Sequence, residues 1–184
     1  AYHVAGAVGL LMCPVLGCAD RTALRFAVDM GIGMQLTNIA RDILEDAHMG
    51  RRYLPESWTG QLSPHQIVAC AKAPESQDYK QIQAAADRLL TLADKYYESG
   101  RLGLRFLPFR ARYGIAVAAG VYRAIGTKLR ARKLRWGDGR VATSKSEKLS
   151  ASLQALSKLY RLPKATHNSN LHAPLTSLLD EALK

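Results

Sequence analysis

The stretch Gln35-Leu-Thr-Asn38-Ile-Ala-Arg41-Asp42-Ile-Leu-Glu45-Asp46-Ala-His48-Met-Gly50-Arg51-Arg52-Tyr53-Leu-Pro55 decides how this chain is read. On a helix that stops near Gly50, Asn38, Asp42 and Asp46 sit at i, i+4 and i+8. Three oxygen-bearing side chains then stack along one face, with neighbouring Cβ atoms about 5–6 Å apart. Oxygen ligands at that spacing suit hard divalent cations, and Mg²⁺ completes a shell of one or two carboxylates with waters and phosphate oxygens. Arg41, Arg51 and Arg52 follow closely, and guanidinium forks match phosphate oxygens bidentately. Acid ladder and arginines together read as cation and anion sites for one ligand. A plainer reading stands beside it: Arg41 and Glu45 are also i and i+4, and a charged helix face is most often only solvated.

Upstream, Asp20 is a good N-cap for a helix running to about His48. Leu24, Val28, Gly31, Gln35, Asn38, Asp42 and Asp46 fall within about 40° of one line along it. That stripe is apolar at its early end and polar at its late end, as suits either a pocket wall or a plain amphipathic helix. Residues 2 to about 17 read as a helix with Gly6 and Gly9 on neighbouring turns, implying close helix contact or room for a ligand.

Downstream, residues 50 to 64 read as a loop anchored by Tyr53, Leu54, Pro55 and Trp58, followed by a short helix from about Pro64 to Lys72. A long helix is expected from near Pro74 to about Gly100, with Ile82, Ala85, Ala86, Leu89, Leu92, Ala93 and Tyr96 facing the core. The next runs from Pro108 to about Lys133 and is uncharged from Gly114 to Tyr122, which predicts a buried middle. Ser146 to Tyr160 reads as an amphipathic helix, and Leu162 to Ala173 as loop or tail. His65, His167 and His172 have unpatterned settings and receive no catalytic role. No alternating strand pattern persists, so the fold class is all-α.

The chain has 184 residues and a formal net charge of +11. Residues 1–100 contain 9 Lys/Arg against 11 Asp/Glu, whereas residues 101–184 contain 17 against 4. A basic second half suits nucleic acid, anionic lipid headgroups or a diphosphate. Without a zinc finger or an RNP-like strand, nucleic acid ranks last. The Lys128, Arg130, Arg132, Lys133 and Arg135 cluster reads either as a solvated helix end or as attraction to an anionic membrane surface. No stretch reads as a transmembrane helix or a secretory signal. Cys13, Cys18 and Cys70 lack metal-type spacing and read as buried thiols of a reducing cytoplasm.

The wording of the 35–55 stretch resembles the second aspartate-rich motif of the squalene/phytoene synthase family, nearest its bacterial phytoene-forming branch. Tyr2-His-Val-Ala-Gly6-Ala-Val-Gly9 and Val121-Tyr122-Arg-Ala-Ile125-Gly126 agree with it, and the likeness weakens after about residue 145. The resemblance implies a prenyl-synthase-like helical bundle around a central cavity, with residues 1–184 as the C-terminal part of one head-to-head trans-isoprenyl diphosphate synthase domain. An earlier aspartate-rich motif belongs to the family, and none occurs before Tyr2. This chain alone is therefore expected to be inactive.

The implied reaction is head-to-head condensation of two geranylgeranyl diphosphates, through prephytoene diphosphate, to phytoene in carotenoid biosynthesis. By motif match, Asn38, Asp42 and Asp46 would ligate Mg²⁺, or Mn²⁺ in its place, with Asp42 and Asp46 catalytic. Gln35, Arg41, Arg51 and Tyr122 would bind substrate, and Glu45 would point away as an ion-pair partner. Uncharged segments at 4–19 and 114–122 would wall the prenyl tails. The expected setting is cytoplasmic, with peripheral contact to a membrane surface. Two rivals are a squalene or diapophytoene synthase using farnesyl diphosphate, and a non-catalytic relative acting as an assembly factor.

Overall fold

Helix α2 (Ala23–Arg41) takes part in the most extensive helix pairing among the described residues, in a computed structural model that describes residues 1–157, 159, 162–163 and 166–175. Phe26, Val28, Ile32, Leu36, Ile39 and Ala40 recur along it at helical spacing and are buried, so its core is set by the apolar side of a 3.6-residue repeat. A π-helical turn, Tyr2–Gly6, leads into α1 (Ala7–Val15), which crosses α2. The short helices α3 (Ile43–His48), α4 (Glu56–Thr59) and α5 (Pro64–Cys70) follow. The long α6 (Gln77–Gly103) lies along α2, while α7 (Phe109–Ala131) packs on α2 and on α8 (Lys145–Ser157). Among the described residues all regular structure is helical, so the all-α expectation holds.

Glycines let the helices touch backbone to backbone. A Cβ at Gly31 would lie 2.1 Å from the Ala5 carbonyl oxygen, and one at Gly9 only 2.3 Å from that of Ala27. The α1–α2 crossing therefore requires both, and close packing is the role of this pair. On the other side of α2, Tyr97 Oη and Thr37 Oγ1 lie 3.0 Å apart, and the Thr37 hydroxyl also reaches the Gly33 carbonyl at 3.0 Å. This buried polar bridge fixes α6 against α2. Burial pushes the Tyr97 phenol well above its ordinary value.

Several expectations are corrected. The helix proposed from Asp20 to His48 begins at Ala23 and breaks at Asp42 (φ −103°, ψ 18°) before resuming as α3. Asp20 instead accepts the Thr22 N–H at 2.8 Å, a local turn that precedes the helix. Ser76, not Pro74, precedes α6; its hydroxyl accepts the Tyr79 N–H. The loop at 50–64 contains α4, and the Gly114–Tyr122 segment is largely half-buried, with only Ala116 buried. Its small side chains serve a close α7–α8 approach: a Cβ at Gly120 would meet Ala155 Cβ at 2.8 Å. Helix α8 ends at Ser157, and Tyr160 lies outside the described residues.

The basic cluster is largely paired rather than simply solvated. Arg130 holds Asp87 and Asp94, Lys128 holds Glu147, and Arg135 holds Asp138. Of the three thiols, Cys13 and Cys70 are buried and Cys18 is half-buried. Burial pushes Cys13 up to about 11. Finally, the stretch expected as loop or tail carries a 3₁₀ segment, Ser169–Leu175, and brings His167 and His172 onto α2.

Candidate functional site

Although the helix breaks at Asp42, the i to i−4 backbone bonds run through the break. Asp42 N–H donates to the Asn38 carbonyl at 2.9 Å and Asp46 N–H to the Asp42 carbonyl at 2.8 Å. Asn38, Asp42 and Asp46 thus stay on successive turns, and all three are half-buried. Asn38 Oδ1 is buried without a hydrogen-bond partner. Burial, followed by the neighbouring Asp42 charge, holds the Asp46 carboxyl above its ordinary value. An orphaned acceptor beside a carboxylate short of counter-charge is what a divalent cation satisfies, so these residues fit Mg²⁺.

Arginine surrounds the same carboxylates. Arg41 grips Asp42 with both arms, Nε to Oδ1 at 2.7 Å and Nη2 to Oδ2 at 2.5 Å. Arg140 Nε reaches Asp42 Oδ1 at 3.2 Å. Arg140 was not singled out in the sequence, because it lies in a turn-rich stretch far from the motif and has no local pattern. Arg51 is exposed; its backbone N–H donates to the Asp46 carbonyl at 2.8 Å, and its charge lowers the Asp46 carboxyl against the larger upward effects. Gly50 (φ 71°) provides the left-handed turn that brings Arg51 back.

Other candidates are placed differently. Arg52 serves the loop, donating to the Leu62 carbonyl at 2.7 Å and pairing with Glu56, whereas Tyr53 is exposed. Glu45 makes no ion pair with Arg41: the guanidinium takes the adjacent Asp42, and Glu45 Oε2 is buried without a hydrogen-bond partner. Gln35 is half-buried one turn before Asn38. Tyr122 is half-buried on α7.

An apolar groove of about 250 Å³ opens between α1, α2 and the end of α6, lined by Val8, Met12, Met30, Met34 and Leu104. Met30 and Met34 precede Asn38 by eight and four residues, so one face of α2 passes from apolar groove to oxygen ladder. Val28, expected on this stripe, is fully buried in the core instead. A larger cavity, about 530 Å³, lies between α6, α7 and α8 and is lined by Tyr97, Ala116, Gly120 and Arg123. It contains none of the residues of the 35–55 stretch.

An all-helical scaffold thus carries an Asn/Asp/Asp ladder flanked by arginine and continued by an apolar groove. Residues 1–147 match the squalene/phytoene synthase family, and the chain belongs to it. It is 41% identical to a 15-cis-phytoene synthase of Pantoea ananas, over 90% of this chain and 54% of that protein. The identity is also 41% to a 15-cis-phytoene synthase of Paracoccus sp. (strain N81106 / MBIC 01143), over 80% and 46%. Against phytoene synthase 2, chloroplastic, of Solanum lycopersicum it is 31%, over 90% and 54%. The chain spans about half the length of the curated relatives it matches.

Proposed function

We propose that the chain carries the second-motif side of a phytoene synthase, which joins two geranylgeranyl diphosphates head to head. The carrying observation is the buried, unpartnered Asn38 Oδ1 aligned with Asp42 and Asp46. These three residues would hold Mg²⁺, which when bound supplies charge neutralisation for a leaving diphosphate. Arg41 and Arg140 balance Asp42 in the absence of ligand. Both guanidinium groups would turn to the oxygens of an arriving diphosphate, which would leave the Asp42 carboxylate for the cation. Arg51 and Gln35 hold the headgroup from either end of the ladder, and Tyr122 flanks Arg41. The groove along α1 and α2 takes the hydrocarbon, where each buried CH₂ contributes about 0.8 kcal/mol and water is kept from the allylic carbon.

The test is product analysis of the full-length protein with geranylgeranyl and farnesyl diphosphates, with and without Mg²⁺. Phytoene from the longer substrate, lost on chelation, supports the reading. A C30 product from farnesyl diphosphate points to the squalene or diapophytoene type, and no turnover with either points to an assembly factor. Among the described residues no helix is long and apolar enough to cross a membrane. Peripheral attraction to an anionic surface rests on the net charge of +11 and on exposed Arg132 and Lys133. Co-sedimentation with anionic but not neutral vesicles, abolished by salt, tests it.

A further inference from the structure

Asp29 lies in the middle of α2, fully buried, and is remote in function from the ladder that the same helix carries. Three side chains converge on its carboxylate. His172 Nε2 is 2.6 Å from Oδ1, His167 Nε2 is 2.8 Å from Oδ2, and the Ser99 hydroxyl donates to Oδ2 at 2.5 Å. Both imidazoles are themselves nearly buried, with 6% and 7% of their side chains exposed. One ligand atom from each of Asp29, His167 and His172 falls within 4.8 Å of the others.

We propose that Asp29, His167 and His172 form a structural Zn²⁺ site that fastens the 166–175 segment to α2. Two imidazole nitrogens and one carboxylate suit a transition ion such as zinc, whereas Mg²⁺ prefers oxygen alone. His167 and His172 are separated by four residues, within the His-x₃₋₅-His spacing of structural zinc sites. Ser99 takes the place of an outer-shell partner, hydrogen-bonded to the ligating carboxylate so that its plane is fixed.

Burial disfavours a charged Asp29, and His167, His172 and Ser99 offset that cost by hydrogen-bonding its carboxylate. Among the described residues the ion-pair partners of this buried carboxylate are His167 and His172. The segment already meets the scaffold elsewhere, through Tyr96 Oη donating to the Leu171 carbonyl at 2.9 Å. The metal therefore locks a docked segment rather than gathering a loose one.

Elemental analysis of the full-length protein, purified without chelator, should find about one zinc per chain. Co²⁺ added to stripped protein should develop the visible ligand-field bands of a tetrahedral nitrogen and oxygen site. His172→Ala and Asp29→Asn should lose the zinc, Ser99→Ala should weaken its binding roughly tenfold to a hundredfold, and Asp42→Asn should retain it. Wild-type protein that carries no zinc and gives no cobalt bands would overturn the proposal, leaving Asp29 as a hydrogen-bonded clasp. So would zinc lost equally with Asp42→Asn, which would place the ion at the ladder. Because the wild-type measurements stand alone, a variant that fails to fold does not blunt the test.

Discussion

Arg140 Nε lies 3.2 Å from Asp42 Oδ1, so the stretch after α7 closes onto the junction between α2 and α3. Arg41 already holds both oxygens of that carboxylate. Two guanidinium groups on one acid balance the Asp42 charge, and in the function proposed above a diphosphate and a cation would replace them jointly.

Asp42→Asn keeps the shape and removes the charge. We expect turnover of the full-length enzyme to fall roughly 100-fold or more, while the thermal midpoint moves by less than about 4 °C. Steady-state rates and a melting curve on one preparation check both halves. A variant that turns over at the wild-type rate would remove Asp42 from the reacting site.

Arg140 is 58% exposed, so its ion pair adds little to stability. As a phosphate fork its loss is expected to raise KM for the prenyl diphosphate about tenfold, with the melting curve unmoved. Arg140→Lys should recover only part of this, because an ammonium lacks the planar fork. An unchanged KM in Arg140→Ala would assign the residue to the surface ion pair alone.

The pH dependence of stability follows from Asp46. Burial and then the Asp42 charge raise its carboxyl above the ordinary 3.8, so the folded state keeps a proton that the unfolded chain has lost. In metal-free buffer stability should therefore fall as pH rises from 3.8 through the raised value. Mg²⁺ should counter that fall, since it binds the ionised form. Melting curves with and without Mg²⁺, in wild type and Asp46→Asn, decide this; a fall that persists unchanged in the variant would exclude Asp46 as its cause.

Gly31→Ala would place a methyl 2.1 Å from the Ala5 carbonyl oxygen and force α1 off α2. Destabilisation of about 3 kcal/mol or more is expected from such overpacking. Gly114→Ala on α7 meets nothing within 4 Å and should instead stabilise by about 0.5–1 kcal/mol. Urea titration of the two variants side by side gives opposite shifts of the midpoint if the crossing is as described.

Asp94 accepts from Arg123 and Arg130 at 2.8 Å each and so ties α6 to α7. Asp94→Asn should lower stability by about 1 kcal/mol at low salt, and by much less in 1 M salt, where the Debye length is about 3 Å. Equal losses at both ionic strengths would point to packing rather than charge.

Most helices and the character of the ladder were legible from the residues alone, because both depend on neighbours three or four positions apart. The core face of α6, the stop at Gly50 and the Asn38, Asp42 and Asp46 alignment all follow from a 3.6-residue repeat and the freedom of glycine to adopt positive φ. Tertiary structure alone decided what lies across from them. It selected Asp42 over Glu45 as the partner of Arg41, added Arg140, turned the basic cluster into ion pairs with α6 and α8, and seated His167 and His172 on Asp29. A buried aspartate in mid-helix and two histidines in a Pro/Asn/Ser-rich stretch have no periodicity that links them. Contacts between residues more than a hundred positions apart are set by how the helices stack, and that stacking is a property of packed surfaces rather than of any local run of sequence.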